Sequence, residues 1–222
     1  MESDNATLAA RIRAVQEAAS ADALLTATRR LAESPHGERI DEAAIHCLVE
    51  VLGFNNPGAA VAAVEGLIRL GPAAVDPLLN RLDPRNYGAR AWAVRALAGI
   101  GDVRGLPLLE EALATDVGPS VRRAAACGLG RLRLERLPEP ERRQVRARAL
   151  RGLLAGGADG EWVVRYAVAV GLESLAGAMK PEPEQRQRLL EALHRLAEPE
   201  REETTVVRLR ARLAWSRLQE ER

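Results

Sequence analysis

Apolar residues from Val61 onward recur at intervals of three and four, and that arrangement is then copied along the chain. The segment VAAVEGLIRLG ending at Gly71 superposes on RAWAVRALAGIG ending at Gly101, with Val64 over Val94, Leu67 over Leu97 and Pro77-Leu78-Leu79 over Pro107-Leu108-Leu109, at an offset of 30. A step of 32 carries Arg90 to Arg122 and Leu97 to Leu129. Steps of 43 carry Val121-Arg122 to Val164-Arg165 and again to Val207-Arg208. Within one copy Val121, Ala124, Ala125, Gly128, Leu129 and Leu132 fall on one stripe of a 3.6-residue helix, and the small residues on it predict close-packed helices. The spacing predicts helix pairs at 41–52 with 57–70, 72–82 with 87–100, 103–114 with 119–133, 139–155 with 161–177, and 183–197 with 204–219.

Punctuation agrees with these boundaries. Gly71-Pro72, Gly101-Asp102 and Gly118-Pro119 break helices at the corners. Pro138-Glu139-Pro140-Glu141 and Pro181-Glu182-Pro183-Glu184 put Pro and acid at helix starts, where a missing N–H is harmless and negative charge suits the dipole. Two-helix units of this length are the mark of HEAT or armadillo repeats, each burying its face only against its neighbours. The expected fold is all-α: a right-handed α-solenoid of about five HEAT-like helix pairs, spanning 1–222 as one domain, with residues 1–38 as an N-terminal helical cap.

Composition changes this picture little. The chain is 47% hydrophobic but only 3% aromatic, rich in Ala and Leu, which favours helix over strand. Lys plus Arg is 32 and Asp plus Glu is 31, a net charge of +1. No global field steers such a molecule onto nucleic acid or an anionic bilayer, which counts against a HEAT-type DNA glycosylase. Cys47 and Cys127 are far apart in helical patterns, unlike a disulfide framework or zinc set. His36, His46 and His194 are scattered without a metal or triad signature, so no metal is expected. With no signal peptide and no apolar run approaching a bilayer span, the expected compartment is the cytoplasm.

Two sets of residues remain as candidate chemistry. Arg90, Arg122, Arg165 and Arg208, each near the start of a second helix, follow Asp83, Asp116, Asp159 and Glu202 by six or seven residues. Such regularity predicts a structural ladder, each guanidinium held by an acid of its own or the adjacent turn. Tyr87, Trp92, Trp162 and Tyr166 instead break the repeat, and Arg95 and Arg123 lie near them. Aromatic faces beside guanidinium groups suit a flat, conjugated ligand bearing carboxylates, although Trp92 aligns with Ala124 and Ala167 and fills inter-helix space equally well. Cys127 has no histidine placed to activate it and reads as a packing residue.

The stretch from Asn86 to Leu134 resembles the E/F-type phycobilin lyases of cyanobacteria, which are HEAT-repeat proteins. The pieces that carry the likeness are Asn86-Tyr87-Gly88-Ala89-Arg90-Ala91-Trp92, Arg95-Ala96-Leu97-Ala98-Gly99-Ile100-Gly101-Asp102, and Ser120-Val121-Arg122-Arg123-Ala124-Ala125. In length the chain is similar to the shorter F-type subunit. The resemblance implies a lyase subunit that pairs with an E-type subunit, binds phycocyanobilin or a related bilin as substrate rather than cofactor, and orients it for thioether attachment to a cysteine of a phycobiliprotein α subunit. Neither nucleic acid nor membrane insertion is implied. The bilin-binding residues expected on the combined reading are Tyr87, Arg90, Trp92, Arg95, Arg123 and Tyr166; no catalytic residue is assigned. Two departures stand out: the Asn-His-Cys-Gln-Gly-Asn motif of relatives that also isomerise the bilin is absent, residues 86–91 being NYGARA, and Leu134 replaces an aromatic residue. The competing expectation is a HEAT adaptor, or a phycobilisome assembly or turnover factor, that binds protein only.

Overall fold

The computed structural model describes residues 2–33, 42–81, 83, 85–178 and 182–220; His36, Lys180, Pro181 and the last part of the expected cap lie outside them. Twelve α-helices are present among the described residues, and contacts divide the chain into two compact units, 1–100 and 101–222.

The first unit contains α1 (Glu2–Gln16), α2 (Ala21–Ala32), α3 (Glu42–Val51), α4 (Pro57–Leu70), a 3-10 turn (Gly71–Ala74), α5 (Val75–Asn80) and α6 (Tyr87–Ile100). Helices α2, α4 and α6 stack in sequence as second helices, with α1 and α3 neighbouring each other in the first-helix layer. The expected cap is therefore built as a repeat of its own, α2 being the second helix against which α4 packs. Gly71 adopts φ 68°, a left-handed corner that a side chain resists. That corner matters for one expectation from the sequence. The stretch Pro57–Asn80 is long and apolar enough to cross a membrane by length and composition, with a hydropathy of 1.4, contrary to the absence of any such run. Gly71 divides it into separate helices, and more than half of its apolar window is buried inside the protein.

The second unit contains α7 (Leu106–Thr115), entered by a 3-10 turn at Val103–Gly105, then α8 (Pro119–Gly130), α9 (Glu139–Gly156), α10 (Trp162–Ala178), α11 (Pro183–Ala197) and α12 (Thr205–Glu220). Three hairpins, α7–α8, α9–α10 and α11–α12, stack so that α10 packs on both α8 and α12 while α9 packs on both α7 and α11. Glycine permits the closest approach: a Cβ on Gly130 would stand 2.3 Å from the Gly171 carbonyl oxygen, and one on Gly171 would stand 2.6 Å from that of Ala126. The core is Leu, Val and Ala, with Leu97, Leu109, Leu129, Leu153 and Leu172 all at or below 1% exposure.

Candidate functional site

Each second helix begins at a turn whose polar groups must be satisfied. In the second unit Arg122 donates from Nε and Nη2 to both oxygens of Asp159, at 2.7 and 3.0 Å, and from Nη1 to the carbonyl of Asp116 at 2.8 Å. One repeat on, Arg165 repeats the arrangement with Glu202 at 2.5 and 2.8 Å and with the Asp159 carbonyl at 2.8 Å. Arg208 closes the series on the carbonyls of Glu202 and Glu203, both at 2.8 Å. The predicted ladder is therefore present at Arg122, Arg165 and Arg208, with a definite sense: each takes the backbone of its own turn, and Arg122 and Arg165 also take the carboxylate of the following one. Hydrogen bonding from Arg165 holds the Glu202 carboxyl below the usual glutamate range. Burial would raise Asp159, but hydrogen bonds from Arg122 and from the Glu161 N–H bring it below the usual aspartate range.

In the first unit two asparagines cap second helices, a signal the arginine spacing did not contain. Asn56 accepts from the Ala59 N–H at 3.0 Å, capping α4, and donates to the Ala21 carbonyl at 2.9 Å. Asn86, 30 residues later, caps α6 through the Ala89 N–H at 3.0 Å and donates to the Gly53 carbonyl at 3.2 Å. The offset that relates Val64 to Val94 also relates these two residues, so the repeat itself could have found them.

The six candidate binding residues fall into two groups, one in each unit. In the first unit Tyr87, at the first position of α6, is 48% exposed, while Arg90, Trp92 and Arg95 are half-buried along the helix. The Arg95 guanidinium lies over the Trp92 ring, 4.7 Å from its centroid, a cation–π pair that orients both side chains. Trp92 thus neither fills a sealed core position nor stands free in solvent. In the second unit Arg123 is exposed on α8 and Tyr166 half-buried on α10. They share a register position in successive repeats, 43 residues apart. Leu134, the departure from the family pattern, is 1% exposed and belongs to the core.

Cys127 lies one turn after Arg123 and is half-buried. Burial raises its thiol pKa, and the positive charges of Arg131, Arg123 and Arg210 only partly oppose that. The thiol therefore stays protonated near neutrality, a poor nucleophile. Cys47, buried beside Glu50, is pushed up to about 11 and is a packing residue of α3. Open hollows of about 610 Å³ between α1 and α2, and about 620 Å³ between α11 and α12, are lined by none of the six candidates.

This architecture has known counterparts. HEAT repeats match residues 49–130. The chain is 52% identical over 154 residues to the phycocyanin alpha phycocyanobilin lyase CpcF of Synechocystis sp., covering 69% of this chain and 70% of that protein. It is 52% identical over 155 residues to a phycobilisome maturation protein of Synechococcus elongatus, covering 69% and 72%. Among solved structures, the complex of CpcE and CpcF of the phycocyanin lyase from Nostoc sp. matches with a TM-score of 0.69 and 44% identity, over 78% of this chain and 99% of that one. With its paired helices, its repeat ladder and this level of identity, the chain belongs to the family of CpcF-type phycocyanobilin lyase subunits.

Proposed function

We propose that this chain is the F-type subunit of a heterodimeric phycobilin lyase, which works with an E-type subunit to attach phycocyanobilin, or a closely related bilin, to a cysteine of a phycobiliprotein α subunit. The observation that carries this is the identity, above one half over most of the chain, to a CpcF lyase subunit. The acceptor protein brings the attacking thiol, so the lyase needs no nucleophile of its own, and a protonated Cys127 fits a surface that must not capture the pigment. Adding a thiol across a double bond of a conjugated pigment needs neither oxidant nor reductant. What the subunit supplies is orientation: a restrained bilin offers one carbon and one face to the incoming cysteine, and fixing two reactants in this way lowers the barrier without any group of the lyase taking part in bond making. In the first unit Tyr87 and Trp92 supply ring faces, with Arg90 and Arg95 on the same helix; in the second unit Tyr166 supplies a ring face in the row of Arg123. The compartment for this work is the cytoplasm.

Co-expression of an acceptor α subunit and bilin with both lyase subunits, and with the E-type subunit alone, tests the reading. Covalent pigment on the acceptor, followed by visible absorbance after denaturation, should require both. Equal attachment without this chain sinks the proposal. A protein-only adaptor, by contrast, leaves the spectrum of added bilin unchanged.

A further inference from the structure

The near-neutral total charge conceals a cationic surface. Helix α8 contains no acid, α10 only Glu173 and α12 only Glu220. Arg122 and Arg165 are matched by the turn carboxylates Asp159 and Glu202 and are therefore occupied. Arg123 and Arg131 have no such partner among the described residues. Arg123 and Cys127 stand one turn apart on one face of α8, and Arg131 follows as the C-cap residue of that helix; the charges of both guanidiniums reach the Cys127 thiol between them. The repeat offset of 43 puts Tyr166 and Leu209 in the row of Arg123, and Val170 and Leu213 in the row of Cys127. Leu209 and Leu213 are 59% and 46% exposed, more than an apolar side chain needs to be on a finished surface. Beside them Glu173 serves two guanidiniums at once, Arg210 and Arg217. Arg210 keeps Nη1 buried and without an acceptor, leaving a charged donor unsatisfied.

We propose that the α8–α10–α12 face is the carboxylate-holding part of the bilin site: Arg123 and Arg131, with Arg210 behind them, bind the pigment's acid groups while its flat body lies on Tyr166, Val170, Leu209 and Leu213. This rests on the lyase reading above. It selects among the arginines by what each is already doing, since Arg122 and Arg165 already hold a carboxylate of the following turn. It also makes a diacid the preferred ligand over a neutral pigment of the same shape, and the same rows are too apolar to suit a short acidic peptide equally well.

The test uses the full chain with its E-type partner, titrated with phycocyanobilin and with phycocyanobilin dimethyl ester and followed by visible absorbance. A guanidinium–carboxylate hydrogen bond predicts a preference for the diacid of about tenfold or more. Arg123→Gln with Arg131→Gln should abolish that preference while the ester binds as before, and Arg123→Gln alone should reduce it. Both positions are exposed, so an unchanged thermal melt confirms intact folding. Equal binding of diacid and ester by the unaltered complex overturns the inference and leaves the lyase reading standing, whereas a complex that binds neither removes both. A double variant that keeps the preference but loses affinity for the acceptor protein also overturns it, assigning the face to protein instead.

Discussion

Removing the Glu202 carboxylate tests the ladder at its most buried rung. Glu202 has a side-chain exposure of 1% and Arg165 of 14%, and the carboxylate also accepts the Thr204 N–H at 2.8 Å. In Glu202→Ala the Nε and Nη2 donors of Arg165 lose the carboxylate, Nη2 keeping only Thr204 Oγ1 at 3.5 Å, while Nη1 keeps the carbonyls of Asp159 and Gly160. Breaking one side of a buried ion pair costs about 3–5 kcal/mol, and the two retained carbonyls place this case at the lower end, about 3 kcal/mol. In a chain of this size that corresponds to a fall in Tm of about 6–12 °C. Replacing both partners together, Arg165→Met with Glu202→Met, should recover most of the loss, because no charge is then left stranded. Urea and thermal unfolding followed by helical circular dichroism measure both. A single variant within about 1 kcal/mol of the unaltered protein, or a double variant no better than Glu202→Ala, refutes the reasoning. The pH dependence carries the same sign. Because the folded-state pKa of Glu202 is lowered, its contribution is complete above the ordinary glutamate value of about 4.3 and is lost as pH falls through the lower folded value. Glu202→Gln should flatten that acid limb of the stability curve.

Other positions give independent checks. Gly130→Ala forces a Cβ against the Gly171 carbonyl oxygen and should cost about 1–3 kcal/mol by overpacking, whereas Gly177→Ala, exposed with nothing within 4 Å of the added Cβ, should stabilise by about 0.4–1 kcal/mol; the reverse order in urea midpoints contradicts the packing described for α8 and α10. Asn86→Ala loses the cap of α6 and the bond to the Gly53 carbonyl, a destabilisation of about 1–2 kcal/mol seen as a lower urea midpoint. Tyr87→Ala, at a half-exposed position, should leave stability within about 0.5 kcal/mol yet weaken bilin binding in an absorbance titration; unchanged affinity removes Tyr87 from the site.

Helix positions were legible from the chain alone because they depend on local spacing. Apolar residues at three and four, Gly at Gly71 and Gly101, and Pro at helix starts set elements whose ends fall within a few residues of those observed. The rows of equivalent positions, Arg122–Arg165–Arg208 and Arg123–Tyr166–Leu209, follow from the same periodicity. What spacing could not determine is which groups meet across about 37 residues of intervening chain. Only the rise from one hairpin to the next makes Arg122 take Asp159 and Arg165 take Glu202, leaving the acid of each arginine's own turn to offer its backbone carbonyl. Arg122 and Arg123 are adjacent and alike in sequence, yet stacking neutralises one and leaves the other exposed. Trp92 shows the same limit: its alignment with alanines allowed core or surface, and the Arg95 guanidinium over its ring exists only once α6 is wound and its neighbours are in place. Periodicity gives each side chain a direction around its helix, and the stack alone decides what it finds there.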